Sequence, residues 1–302
     1  MRIHFSNVNF SSRTGPNTFA YRLASKLAER GYHIVDANEN YDTFLAFIEP
    51  ASMPLPSSRF IQRLDGIWFK PEEFHTHNVG IKWAYENAHH VVWQSEFDRG
   101  MTEHHWGPRE GTVIHNGIEL NQSEKRLFLN KVDFYGRTFV CSANWHPQKR
   151  LSENVRLYRK IRKPGDCLLV LGNNPDCTLD PSNNELYWGS LSHEECLHVY
   201  KSADWMIHLA WLDHCPNVVV EALSQGCPVI CASTGGTKEL VNGRGIIIKD
   251  KPYNFELTDY DNPPSLDFEG FDLPAGLLRP TFEIPDLDIN FVADRYEAVL
   301  RG

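Results

Sequence analysis

Strand-length apolar runs alternate with helical stripes along most of this chain, and the alternation starts afresh halfway through its 302 residues. In the first half, the runs "RIHF", "TFLAFI", "RFIQ", "HVVW" and "TVIH" read as strands. Between the first two, "NTFAYRLASKLAERG" spaces Phe19, Leu23 and Leu27 by four, one stripe of a helix, with Asn17 or Thr18 as its cap and Gly31 as its end. "NVGIKWAYENAH" and "SEFDRGMTEHHWG" supply further helices. A charged stretch, "NQSEKRLFLNKVDFYGR", then interrupts the pattern. Beyond it come "TFVCSA", a helix over Leu151–Ile161, "CLLVLG", a helix in "SHEECLHVYKSA", "DWMIHLA", a helix over Asn217–Ser224, "PVICAS" and "GIII". Strands that alternate with helices close as a parallel sheet covered on both faces. The expectation is therefore an α/β chain of two Rossmann-like, doubly wound parallel-sheet domains with a cleft between them. The first domain covers 1–128 and the second 129–286. Residues 250–285 lose the pattern and read as irregular but packed chain. A last helix over 287–302, with Ile289, Val292, Tyr296 and Val299 at helical spacing, returns to the first domain.

Composition narrows the function classes. A formal charge of −9 argues against nonspecific binding to nucleic acid or anionic lipid. No apolar run is long enough for a transmembrane segment, and "MRIHFSNVNF" lacks the apolar stretch of a signal peptide. Seven cysteines, an odd number with no CxxC pair, fit free thiols in a reducing compartment. Together these features predict a soluble, cytoplasmic protein.

In doubly wound sheets, ligands sit at the carboxyl ends of strands, where loops enter helices. The stretch "DHCPNVVVEALSQGCPVICASTGG" is such a place, since "DWMIHLA" is the strand before it. The helix that begins at Asn217 turns its unpaired N–H groups and positive dipole end toward the cleft, which suits a phosphate. Glu221, one turn in, sits among Val218, Val219, Val220, Ala222 and Leu223. A carboxylate there is costly unless something polar meets it. It either accepts hydrogen bonds from ribose or sugar hydroxyls or is an ordinary exposed or capping helix residue.

The longer stretch "DHCPNVVVEALSQGCPVICASTGGTKELV" resembles the donor-binding segment of retaining glycosyltransferases of the GT-B fold (group 1, or family 4-like). Asp213 and Glu221 stand at the spacing of that family's two acids. "TGPNTFAYRLASKLAERGYHIV", "VVWQSEF", "VIHNGIEL", "SANWHPQKRL" and "YWGSLSHEECLHVYKSADWMIHLA" resemble further landmarks of the family, in its order. The resemblance covers nearly the whole chain except about 250–285.

The resemblance implies a donor, a nucleotide-diphospho-sugar, and an acceptor hydroxyl of unknown identity. It assigns Glu221 to the ribose and Asp213 to the donor sugar, although Asp is one methylene shorter than the family's Glu. The backbone of Asn217 and Val218 would meet the diphosphate, and Gly15 would let the backbone approach it. Lys149 matches the family's cation on the leaving diphosphate, a role that is electrostatic catalysis. The family's Arg position falls on Asn144, and Arg150, next to Lys149, is the candidate to compensate. Where relatives carry a His near the anomeric carbon, this chain has Arg63 and Asp65, read either as acceptor-side residues or as a structural pair at a turn. Asp65, Lys149 and Asp213 are thus the expected catalytic set.

Other signals carry less. Asp286 and Asp288 form a D-x-D, but they open the last helix and read as caps. The His pairs lack further spaced ligands, so no metal and no cofactor is expected. The reading is a metal-independent, retaining glycosyltransferase. Its alternatives are a noncatalytic sugar-nucleotide-binding module and a nucleotide-sugar epimerase of similar architecture.

Overall fold

A computed structural model describes residues 1–12, 14–120, 136–273 and 282–302. The expected boundary at residue 128 lies outside the described residues. The chain forms two six-stranded sheets. The first holds β1 (Arg2–Ser6), β2 (His33–Val35), β3 (Thr43–Phe47), β4 (Arg59–Leu64), β5 (His90–Trp93) and β6 (Gly111–Val113), in the order β2-β1-β3-β4-β5-β6. Its helices are α1 (Gly15–Glu29), α2 (Phe74–His77), α3 (Val79–Asn87) and α4 (Glu96–Trp106). The second sheet holds β7 (Thr138–Ser142), β8 (Cys167–Leu171), β9 (Glu185–Gly189), β10 (Trp205–His208), β11 (Val229–Ala232) and β12 (Gly245–Ile248), in the order β12-β11-β10-β7-β8-β9. Its helices are α5 (Leu151–Ile161), α6 (His193–Ser202), α7 (Asn217–Ser224) and α8 (Thr237–Val241).

Every strand pairing in both sheets is parallel. The strands β3, β7 and β8 are buried along their whole length, which is why "TFLAF", "TFVCS" and "CLLVL" are apolar without alternation. Two edge strands, β2 and β9, have too little apolar run to stand out in the sequence.

Helix α1 begins at Gly15, before the expected caps Asn17 and Thr18. Pro16 fits the first turn because that position needs no donor. Asn17 sits inside the helix, where its side chain donates to Thr14 Oγ1 at 2.8 Å and accepts from the Asn9 amide at 2.9 Å.

The last helix, α9 (Ile289–Arg301), buries Ile289, Val292, Tyr296 and Val299 in one core with Phe19, Leu23 and Leu27 of α1. Asp288 caps it by accepting from the Asn290 amide at 2.8 Å. Asp286 pairs instead with Arg244. The irregular chain beyond β12 also returns to the first domain. Tyr253, Phe255, Leu257 and Tyr260 pack with Phe69, Phe97 and Met101, and the Thr258 amide donates to the Phe69 carbonyl at 2.9 Å. Among the described residues, no helix is long and apolar enough to cross a membrane. All seven cysteines are free thiols.

Candidate active site in the interdomain cleft

The carboxyl ends of the two sheets face each other across a cavity of about 350 Å³. The first domain contributes Gly15 after β1, Asp65 after β4, Gln94 after β5 and Asn116 after β6. The second contributes Asn144, His146 and Lys149 after β7, His208 at the end of β10, and the loop from Asp213 to Val218. Of the residues marked in the sequence, Gly15, Asp65, Asn144, Lys149, Asp213, Asn217 and Val218 all line this cavity.

The N-termini of α1 and α7 meet there. The Asn217 side chain donates to the Gly15 carbonyl at 2.9 Å, and Asn116 donates to Asn217 Oδ1 at 3.0 Å. Two helix starts with unpaired amides favour an anion between them. Lys149 is the one lysine or arginine among the described residues that line the cavity. Its Nζ donates to Asp213 Oδ2 at 2.5 Å, and His208 Nε2 lies 3.4 Å from the same oxygen. Burial pushes the Asp213 carboxyl up, but the Lys149 charge and the His208 contact outweigh it and hold the group far below the usual carboxylate range. Asp213 therefore stays ionised and keeps Lys149 at the cavity wall.

The two glycines that end the motif support this loop. Gly235 has φ +86°, and a Cβ on it would come within 2.8 Å of the Asp213 carbonyl. A Cβ on Gly236 would come within 1.9 Å of the His214 carbonyl and 2.6 Å of Ser95 Oγ in the first domain. No side chain fits beneath the 213–214 loop, so the glycines position the acid.

Three of the marked residues lie elsewhere. Arg63 is buried under the first sheet's end, not in the cavity wall. Its Nη1 pairs with Asp65, its Nη2 donates to Asn116 Oδ1 at 2.6 Å, and its guanidinium lies 4.5 Å from the centre of the Phe19 ring. Burial pulls its pKa below the ordinary guanidinium value. Arg63 is thus the structural half of the pair and Asp65 the half that faces the cavity. Arg150 does not stand in for the family's cation at Asn144, because it takes a left-handed φ of +51° and turns into the core toward Asp250. Asn144 itself donates to His146 Nε2 at 3.2 Å.

Glu221 is buried and lies outside the cavity lining. Its polar neighbours come from two directions. Arg22 of α1 donates to Glu221 Oε1 at 2.6 Å across the cleft, and His193 Nδ1 lies 3.6 Å from the same oxygen.

The structure also shows residues that the sequence did not mark. His214 follows Asp213 in the loop, and its ring lies over Gly66, where a Cβ would come within 2.5 Å of it. Gly66, with φ +114°, is the residue after Asp65. A histidine from the second domain thus occupies the place beside Asp65. His214 Nδ1 is 3.5 Å from Oδ1 of Asp98, a fully buried acid of α4. Burial pushes the Asp98 carboxyl up and His214 opposes that rise. The neighbouring Cys215 thiol is raised to about 12 by burial, which leaves it uncharged at neutral pH. Among the described residues, no three His, Cys, Asp or Glu side chains are grouped to hold a metal ion.

Two doubly wound domains with helix N-termini converging on their cleft define the GT-B architecture of glycosyltransferases. Residues 136–254 match the family model described as glycosyl transferases group 1. Solved structures show the same fold at low identity. One is Anabaena HepE in complex with UDP and glucose, with 14% identity, 100% of this chain and 99% of that chain covered, and a TM-score of 0.67. Another is sucrose-phosphate synthase from Thermosynechococcus elongatus, with 15% identity, 83% and 86% covered, and a TM-score of 0.66. A third is AviGT4, a glycosyltransferase involved in avilamycin A biosynthesis, with 16% identity, 100% and 97% covered, and a TM-score of 0.63. The search of curated proteins found no match.

Proposed function

We propose that this chain is a retaining glycosyltransferase that takes a nucleotide-diphospho-sugar and needs no metal ion. The observation that carries the reading is Lys149 at a cavity wall that also holds two helix N-termini. A diphosphate between α1 and α7 receives N–H groups from Asn217 and Val218, and Gly15 lets the backbone approach from the other side. Lys149 then meets the charge that grows on the leaving diphosphate as its bond to the anomeric carbon breaks. Asp213 accepts hydrogen bonds from the donor sugar, and Asp65 faces the incoming acceptor. The acceptor oxygen bonds to the anomeric carbon from the face the diphosphate leaves, and its proton passes to a diphosphate oxygen. Charge neutralisation by Lys149 and backbone amides is what makes a bridging cation unnecessary. The HepE structures hold UDP, UDP with glucose, or UDP-glucose, which makes UDP-glucose the first donor to try.

The test is a thermal-shift panel of nucleoside diphosphates and sugar nucleotides, followed by donor hydrolysis with and without EDTA. A bound nucleotide raises apparent stability by mass action. The expected outcome is one preferred nucleotide, slow hydrolysis of its sugar conjugate, an anomer retained in the product and no loss with EDTA. Tight binding without any turnover would instead mark a noncatalytic binding module. Silencing by EDTA with rescue by Mn²⁺ would overturn metal independence.

A further inference from the structure

A second, smaller cavity of about 150 Å³ adjoins the first, and the two share Asp213 and His214. Both are walled by the same two loops. The loop after β4 gives Asp65 to the larger cavity and Ile67, Trp68 and Phe69 to the smaller one. Tyr260, from the irregular chain beyond β12, completes the smaller one.

Trp68 lies between the buried Ile67 and Phe69 and is itself 42% exposed. The exposure is not looseness. The buried Asn78 side chain accepts from the Trp68 amide at 3.0 Å and donates to its carbonyl at 2.6 Å. The indole also meets the His77 ring at 5.1 Å between centroids. Tyr260 is equally fixed. Its hydroxyl donates to Glu73 Oε2 at 2.9 Å, and its ring lies 4.9 Å from that of Phe69. A rigid aromatic wall facing a polar end at Asp213 and His214 is the environment of a ligand with C–H faces and hydroxyl edges.

We infer that the smaller cavity is the acceptor subsite, and that it takes the acceptor as a sugar ring stacked on Trp68 with one hydroxyl directed at Asp213 and His214. The inference rests on the donor reading of the larger cavity, because only then is the shared wall the place where the acceptor hydroxyl must arrive. A cavity of this volume is on the scale of one sugar ring. An aromatic plane binds the ring's C–H face while leaving its hydroxyls free for Gln148 and the loop from Leu212 to His214.

The test is saturation-transfer NMR with UDP present, using methyl β-D-glucopyranoside, methyl β-D-galactopyranoside, methyl α-D-mannopyranoside and, as an apolar alcohol, 1-octanol. Wild-type protein is expected to saturate the ring C–H protons of at least one glycoside. Trp68→Ala should weaken that binding by about tenfold or more, and Trp68→Phe should keep it within about threefold. UDP affinity by calorimetry should not change in either variant, which also shows that both are folded. Equal saturation in wild type and Trp68→Ala would overturn the proposal. So would binding of 1-octanol with no glycoside bound, or no binding by any probe while UDP binds. Failure of wild-type protein to bind any nucleoside diphosphate would instead bring down the donor reading beneath it.

Discussion

Lys149 and Arg150 are consecutive cations, each paired with an aspartate, yet one borders the cleft and the other is sealed in the second domain. Lys149 ends a short 3₁₀ turn, Pro147–Lys149, and reaches Asp213 at the cavity wall. Arg150 then adopts the left-handed conformation, reverses the chain and begins α5. Its Nη1 donates to Asp250 Oδ2 at 2.8 Å, the Thr234 hydroxyl donates to the same oxygen at 2.7 Å, and Trp211 covers the guanidinium at 5.7 Å. The backbone at a single residue therefore separates a cation at the cavity wall from one in the core. Charge and spacing alone do not.

The largest expected effect comes from breaking the buried pair. Arg150→Ala leaves Asp250 as an uncompensated charge inside the protein, which costs about 3–5 kcal/mol. Thermal unfolding should show a marked fall in Tm, with the loss falling on stability and not on donor affinity measured in the surviving folded fraction. An Arg150→Ala protein with wild-type Tm and lost donor affinity would reverse the assignment of the two cations.

Lys149→Ala should do the opposite. Its pair lines a solvent-reaching cavity, so removing it disturbs the fold little. The leaving diphosphate loses its one lining cation, at a cost of about 2 kcal/mol or roughly 30-fold in turnover. Donor hydrolysis rate and Tm, measured on the same preparation, separate the two outcomes. Wild-type hydrolysis by Lys149→Ala would leave helix N-termini alone to carry the leaving group.

The same contrast explains what the sequence could disclose. The two parallel sheets were legible because strands buried on both faces must be continuously apolar, as "CLLVLG" and "TFLAFI" are. Lys149 and Asp213 were marked by the resemblance of their loops to the donor-binding segments, and Asn217 was legible because it opens a helix at the carboxyl end of a strand. Arg150 was not, since a positive φ at a non-glycine residue leaves no mark in composition. Nor were Arg22 and Asp98. Each sits on a helix of the first domain, and its partner lies in the second domain, 199 residues away for Arg22. Pairing at that separation depends on how the domains face each other, which no local pattern encodes. His214 carried a signal, its position beside Asp213, but its overlap with Gly66 emerges only in three dimensions.

Glu221 extends the comparison to a third ion pair, with Arg22 across the cleft. If the donor ribose reaches this carboxylate, it must share it with Arg22. The gain is then the lower end of a charge-assisted hydrogen bond, about 1.5 kcal/mol, so Glu221→Ala should weaken nucleoside diphosphate binding roughly tenfold. Calorimetry on the folded variant measures this directly. Unchanged affinity would take Glu221 out of the nucleotide site and leave it as an interdomain tether.

Removing Arg22 should have the smallest effect, and of opposite sign. Arg22 and Glu221 are both largely buried, and Arg22 Nη1 is itself buried with no hydrogen-bond partner among the described residues. In the empty protein, Arg22→Ala leaves the buried Glu221 without its cation, with His193 Nδ1 3.6 Å away, which raises the free energy of the unliganded state. The bound state regains a polar partner for the carboxylate from the ribose. Destabilising the free form more than the bound form strengthens binding, here by about threefold, while lowering the Tm of the empty protein. The ligand-induced rise in Tm should therefore be larger in Arg22→Ala than in wild type. A fall in affinity instead would mean that Arg22 holds Glu221 in its binding geometry or reaches the nucleotide itself. The cross-cleft pair would then belong with Lys149, as part of the site, and not with Arg150.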